Sequence, residues 1–274
     1  MNNISNVFNS ISENSGGDKH YKTVGIYFSK NANLTEEELT LNDNSFADIT
    51  FEEFFANNTK RISVNAFGNA SKTLRILNCF DCNLQFEPPE YDIWKMLSKL
   101  PQLTSISVVL NVSEIPSNFI NRSMDGNGAS DIRSLSFRFK QNVTIQSGAF
   151  QNLDKLILIH FDKANIIFKN ESFKLNSVSE VNSDIPLKIA FYNCSLTGDS
   201  IESEAFDGVK RHLLIEFWES DINYLPEPVF KSVLDNQFNN QTSVINFMDP
   251  TAYSYYNYNS KIDCLECKNH WLIK

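Results

Sequence analysis

The chain has no long apolar run. Its longest, such as Leu156–Ile159, are strand-sized, far short of the ~18 residues a membrane-spanning helix needs. It also has no basic cluster: 24 Lys and Arg are scattered among 33 Asp and Glu, for a net charge of −9. That argues against nucleic acid and anionic membrane as partners, because both need a positive footprint. Histidine is scarce and dispersed, at His20, His160, His212 and His270, and no H-E-x-x-H, G-x-S-x-G, G-x-G-x-x-G or Walker loop occurs. No metal, cofactor or catalytic site is therefore expected, and the chain reads as a non-enzyme. The opening stretch "MNNISNVFNSISENSGGDKH" has neither a basic start nor an apolar run. Residues 1–20 read as a polar, flexible lead-in rather than a secretory signal.

Phenylalanine and asparagine are abundant, at 22 and 34 residues, and both are interleaved with apolar positions throughout. Their arrangement is periodic. "LRILNCFDCNL" at 74, "LILIHFDKANI" at 156, "PLKIAFYNCSL" at 186 and "HLLIEFWESDI" at 212 align without gaps. "LTSISVVLNVS" at 103 and "IRSLSFRFKQN" at 132 fit the same frame, and "TVGIYFSKNAN" at 23 fits in part. The frame is L-x-x-L-x-L-x-x-N/C-x-L, the leucine-rich-repeat pattern, and from 74 onward its copies start 24 to 30 residues apart. Alternation with period two predicts a short strand whose inward residues sit at positions 4 and 6: Ile26 and Phe28, Leu77 and Cys79, Ile159 and Phe161. "FADITFEEFF" at 46–55 is the candidate strand of one further repeat, and "YDIWKMLSKL" at 91–100 has helical spacing.

The second halves repeat as well. "ISVNAF", "IQSGAF" and "IESEAF" share I-x-x-x-A-F, with looser versions at 115, 169 and 225. One phenylalanine per repeat results, namely Phe67, Phe119, Phe150, Phe173, Phe206 and Phe230, and stacking the repeats would make them a buried aromatic column.

Five cysteines remain to be explained, four of them in two C-x-x-C pairs. Such pairs suit a zinc or redox centre. Here Cys79 falls at inward position 6 and Cys82 at position 9, a position shared by Asn31, Asn111, Cys194 and Ser220. In this frame position 9 bonds the backbone of the turn that leaves the strand, so these residues read as a structural ladder of buried neutral groups. A strand also points residues i and i+3 to opposite faces, which is poor for joint ligation.

Both halves recurring in phase, the chain resembles the extracellular leucine-rich-repeat proteins of animals over about residues 21–250. The ending "NSKIDCLECKNHWLIK" is similar to the start of their cysteine-rich cap, with Cys264, Cys267 and Trp271 matching its first two cysteines and its Trp. The Asn- and Phe-rich style is similar to arthropod proteins, of mites and ticks in particular, named as like the non-catalytic subunit of oplophorus-luciferin 2-monooxygenase. The resemblance implies an α/β solenoid of horseshoe form over 21–258, with seven or eight repeats, parallel strands on the concave face and short helical turns on the convex one. Residues 259–274 would begin the cap. A four-cysteine cap and a signal peptide would normally be present, so an incomplete chain is expected. An intracellular protein with reduced thiols is the alternative.

Ten N-x-S/T sequons, at Asn3, Asn33, Asn57, Asn69, Asn111, Asn121, Asn142, Asn170, Asn193 and Asn240, are a mild excess over the roughly five expected from composition. They favour a secreted context, with Asn121, Asn170 and Asn240 the expected loop acceptors. Function is expected on the concave face, at outward positions 5 and 7: Phe80, Arg138, His160, Asp162, Tyr192 and Trp218. A row of aromatics and arginine has the composition of an interface hot spot. The expected partner is another protein or a glycan, met at the cell surface or outside it. An intracellular scaffold or substrate receptor, and an accessory subunit of an enzyme complex, are the rival readings.

Overall fold

A computed structural model describes residues 19–27, 39–120, 131–175, 185–209, 211–222, 225–235, 237–238, 241–248 and 261–262. Phe28, Asn31, Asn121, Asn240, Cys264, Cys267 and Trp271 lie outside these. The chain divides into two units, residues 1–111 with 120–132 and residues 112–119 with 133–274. Each is a parallel-strand β-solenoid.

The first unit stacks four rungs, β1 (His20–Ile26), β2 (Thr50–Asn57), β3 (Ile76–Gln85) and β4 (Ser105–Asn111). Val24, Phe54, Leu77 and Ile106 are register partners, and so are Ile26, Ala56, Cys79 and Val108. Position 4 of the first rung is thus Val24 rather than Ile26. The motif read at residue 23 is displaced by two, a shift that keeps the alternation and so leaves no trace in the local pattern. The strand expected in 46–55 is β2, and Phe46 before it lies in the core. There Phe46, Phe51, Phe54 and Phe67 enclose one another at centroid distances of 5.2–6.3 Å. Helix α1 (Ile93–Ser98) starts where Asp92 Oδ1 accepts the Lys95 N–H at 3.0 Å, and it buries Ile93, Trp94, Met96 and Leu97.

The second unit stacks five rungs, β5 (Ser134–Phe139), β6 (Leu158–Asp162), β7 (Leu187–Tyr192), β8 (Leu213–Trp218) and β9 (Val244–Met248). Leu135, Ile159, Ile189, Ile215 and Ile245 are partners in one row, and Phe137, Phe161, Phe191, Phe217 and Phe247 in the next. Rung β9 was not anticipated: "SVINFM" supplies positions 4 and 6 but none of the flanking leucines.

Two aromatic columns run through this unit. One links position 6 of successive rungs, with Phe161, Phe191, Phe217 and Phe247 stacked at 5.1–5.5 Å. The other is the expected column of the second halves, from Phe119 through Phe150, Phe173 and Phe206 to Phe230, at 4.8–6.1 Å. Phe67 belongs to the first unit's cluster instead. Burying each ring contributes about 1.5–3 kcal/mol relative to exposure.

Few helices form. Outside the rungs lie short parallel strands, such as Val143–Ile145 beside Ile166–Phe168, because "VTI" and "IIF" are β-branched and aromatic. The second α-helix described, α2 (Glu227–Asp235), buries Val229, Phe230 and Val233. Among the described residues no helix is long and apolar enough to cross a membrane.

Candidate functional site

Three rungs of the second unit, β6, β7 and β8, end in a repeated turn. Lys163, Asn193 and Glu219 have φ of 55°, 50° and 50°, left-handed backbone in which asparagine is at ease and the other two are strained. The turn drives the next residue inward, so Ala164, Cys194 and Ser220 are buried. Ser220 Oγ accepts the Cys194 N–H at 3.2 Å and lies 3.2 Å from Phe191 O, at position 6 of the preceding rung. Cys194 Sγ is placed alike, 3.6 Å from Phe161 O, and burial pushes its thiol up to about 12, far from a thiolate at neutral pH.

Cys82 occupies the same place in the first unit, 3.8 Å from Ala56 O, but it is bonded to Cys79. The expectation of two neutral thiols is corrected here. A register shift between Cys79 and Leu84 puts extra residues into β3, turns Cys82 inward and leaves the two Cα atoms 5.4 Å apart. In the disulfide, Cys82 has no proton to donate. Asn111 also departs from the ladder: it is half-buried in β4 opposite Gln85, while its neighbours Leu110 and Val112 are buried.

The solvent-facing side of β5–β8 gathers Arg138, His160, Asp162, Tyr192 and Trp218. Register places Arg138, Asp162, Tyr192 and Trp218 in one row, and Ser136, His160, Ala190 and Glu216 in the next. Asp162 is buried and accepts from both Arg138 Nε and Nη2. Buried Glu216 is compensated twice: Lys188 Nζ lies 2.8 Å from its Oε2, and Trp218 Nε1 donates to the same atom at 2.9 Å. The Tyr192 and Trp218 rings are stacked at 5.2 Å, 5° from parallel. The His160 ring meets Tyr192 edge-on at 4.4 Å. Its Nδ1 is 3.3 Å from Ser136 Oγ, and its Nε2 has no hydrogen-bond partner. Burial holds His160 below the usual imidazole pKa, against the pull of Asp162, and raises the Tyr192 phenol above its usual value.

Phe80 lies in the first unit, 47% exposed, with its ring 6.4 Å from that of Tyr27. Val109, at position 7 of the repeat that starts at residue 103, is buried where the frame would turn it outward. Lys188, Leu158 and Leu214 were missed, although the same alternation that exposes positions 5 and 7 also exposes position 3. Asn170 is half-buried, and its Oδ1 accepts the Glu204 N–H at 3.1 Å. Among the described residues no group of three His, Cys, Asp or Glu side chains is placed to hold a metal ion. Just before β8, Arg211 is 1% exposed, donates Nη2 to Leu156 O, and is brought down to about 10 by burial.

On the outward side of β5–β8 the carboxylates of Asp162 and Glu216 are compensated within the face, and the aromatic rings pack on one another. The protein is a repeat solenoid of parallel strands. No protein-family model matches the chain, and no curated protein is significantly similar to it.

Proposed function

We propose that this is a non-catalytic leucine-rich-repeat module, secreted or at the cell surface, that binds another protein through the outward face of β5–β8. In leucine-rich-repeat proteins that face is the concave one. The observation that carries the reading is the ordered cluster of Tyr192, Trp218 and His160, bordered by the half-exposed Leu158 and Leu214 and by two compensated ion pairs. Half-exposed aromatics supply apolar area at low entropic cost, and the fixed charges orient a partner. The Cys79–Cys82 disulfide supports an oxidising compartment.

A photo-crosslinking phenylalanine analogue placed at Tyr192 tests this, with the exposed Glu204 as the control position. Extracellular proteins of the source should give a discrete adduct at Tyr192 alone, abolished by Trp218→Ala. The same adduct from Glu204, or one indifferent to Trp218→Ala, would refute the assignment.

A further inference from the structure

Six of the ten sequons have both the asparagine and the hydroxyl residue described, and the structure separates them. At Asn57 and Asn170 the hydroxyl residue is part of the core: Thr59 and Ser172 are 0% exposed. Thr59 Oγ1 donates to Asn57 O at 3.2 Å, and the Asn170 backbone N–H donates to Glu202 Oε2 at 2.8 Å. Asn111 is half-buried within β4. Asn69 is exposed, but the Ser71 hydroxyl donates to Gly68 O at 2.6 Å inside a 3-10 turn.

Asn142 and Asn193 are exposed where Asn57, Asn111 and Asn170 are half-buried. Among the described residues, their half-buried hydroxyl residues Thr144 and Ser195 lack the side-chain hydrogen bond that ties Ser71. The middle residues Val143 and Cys194 are buried, while the asparagine and the hydroxyl residue on either side of each are not. Asn142 uses its Oδ1, which accepts Asn165 Nδ2 at 3.0 Å, and leaves its own Nδ2 to solvent. Asn193 stands at the crest of its turn, tied only through its backbone N–H to Trp218 O at 3.0 Å. Both open on one polar cavity of about 530 Å³, between Lys163 and Glu219.

We propose that Asn142 and Asn193 are N-glycosylation sites whose glycans lie over this cavity. The proposal rests on the secreted reading above. In the transfer, the asparagine Nδ2 attacks the anomeric carbon of a polyprenyl-diphosphate-linked oligosaccharide. An N–C bond forms, the C–O bond to the diphosphate breaks, the diphosphate leaves with the electron pair, and the amide nitrogen gives up one proton. A glycan attached during synthesis must still find room after folding. Asn142 and Asn193 offer it, whereas at Asn57 and Asn170 the acceptor's hydroxyl residue is packed away.

The test expresses the full chain behind a borrowed signal peptide in secretory eukaryotic cells. The secreted protein is deglycosylated by an amidase in heavy-oxygen water, and each sequon is scored by mass for labelled aspartate. Label is expected at Asn142 and Asn193, with any at Asn57 or Asn170 confined to retained protein. Translation with microsomes gives a readout that does not require folding: Thr144→Val and Ser195→Ala should each remove one step from the glycan ladder on a gel. Secreted protein bare at both positions, or a ladder unchanged by either substitution, overturns the assignment. A chain labelled behind the borrowed leader but bare when isolated from its own tissue overturns the secretory reading, and the native modification with it.

Discussion

Ser220 carries more than its size suggests. Its hydroxyl meets the Cys194 N–H and the Phe191 carbonyl, both buried, and, at 2.9 Å, the part-buried Trp218 carbonyl. Ser220→Ala leaves buried polar groups unsatisfied and should cost about 1–3 kcal/mol, read as a lower urea midpoint at unchanged slope. Cys194 makes the same kind of contact with a weaker donor, so Cys194→Ala should cost less. His160 links the face to pH. Its folded-state pKa is held below the usual 6.5 by burial, so below pH 6.5 the unfolded chain binds the proton more readily. Stability conferred by the neutral ring is complete above 6.5 and is lost as pH falls from there toward the folded-state value. Urea midpoints between pH 8 and pH 5 should fall for the wild type and less steeply for His160→Gln. Equal slopes would place the titrating group elsewhere.

Among the elements, the second aromatic column concentrates the largest single-site effect. Phe173 contacts Phe150, Phe168 and Phe206 at 5.5, 5.0 and 4.8 Å. Phe173→Ala should cost about 3–5 kcal/mol in thermal or urea unfolding, whereas Phe80→Ser, at a ring 47% exposed, should lie within about 0.5 kcal/mol of wild type. The strands themselves were legible, because an inward pair two residues apart, repeated in phase, can be satisfied only by a stacked ladder. What the pattern did not hold was register and irregularity. A two-residue slip at the first rung preserves every alternation. The shift in β3 that brings Cys82 beside Cys79 depends on what β4 offers opposite it, which no local window contains. Rung β9 kept its two inward residues and lost the rest of its signature, so it carried too little signal to be counted. The shortage of helix had a local sign, since the second halves are rich in β-branched residues, but the repeat family's usual helices outweighed it.

At the scale of the molecule, the candidate face was legible as rows of residues and not as a network. Stacking the repeats named Arg138, His160, Asp162, Tyr192 and Trp218. It could not say that Arg138 is consumed by Asp162, or that Lys188 and Trp218 converge on one oxygen of Glu216, because those are choices of side-chain rotamer across rungs. Lys188→Ala removes one of two donors from a buried carboxylate and should destabilise by about 1–3 kcal/mol while leaving the strand register intact, measured by urea titration and near-ultraviolet dichroism.

The inward rows place isoleucine on isoleucine and phenylalanine on phenylalanine along β6, β7 and β8. Each rung therefore presents to the next nearly the surface it receives from the one before. A gene that copied residues 186–211 in tandem would write its own matching interface at both new junctions. The longer chain should fold with its urea slope increased in proportion to the area of one more rung, so this architecture can acquire length by inheritance without first acquiring new contacts.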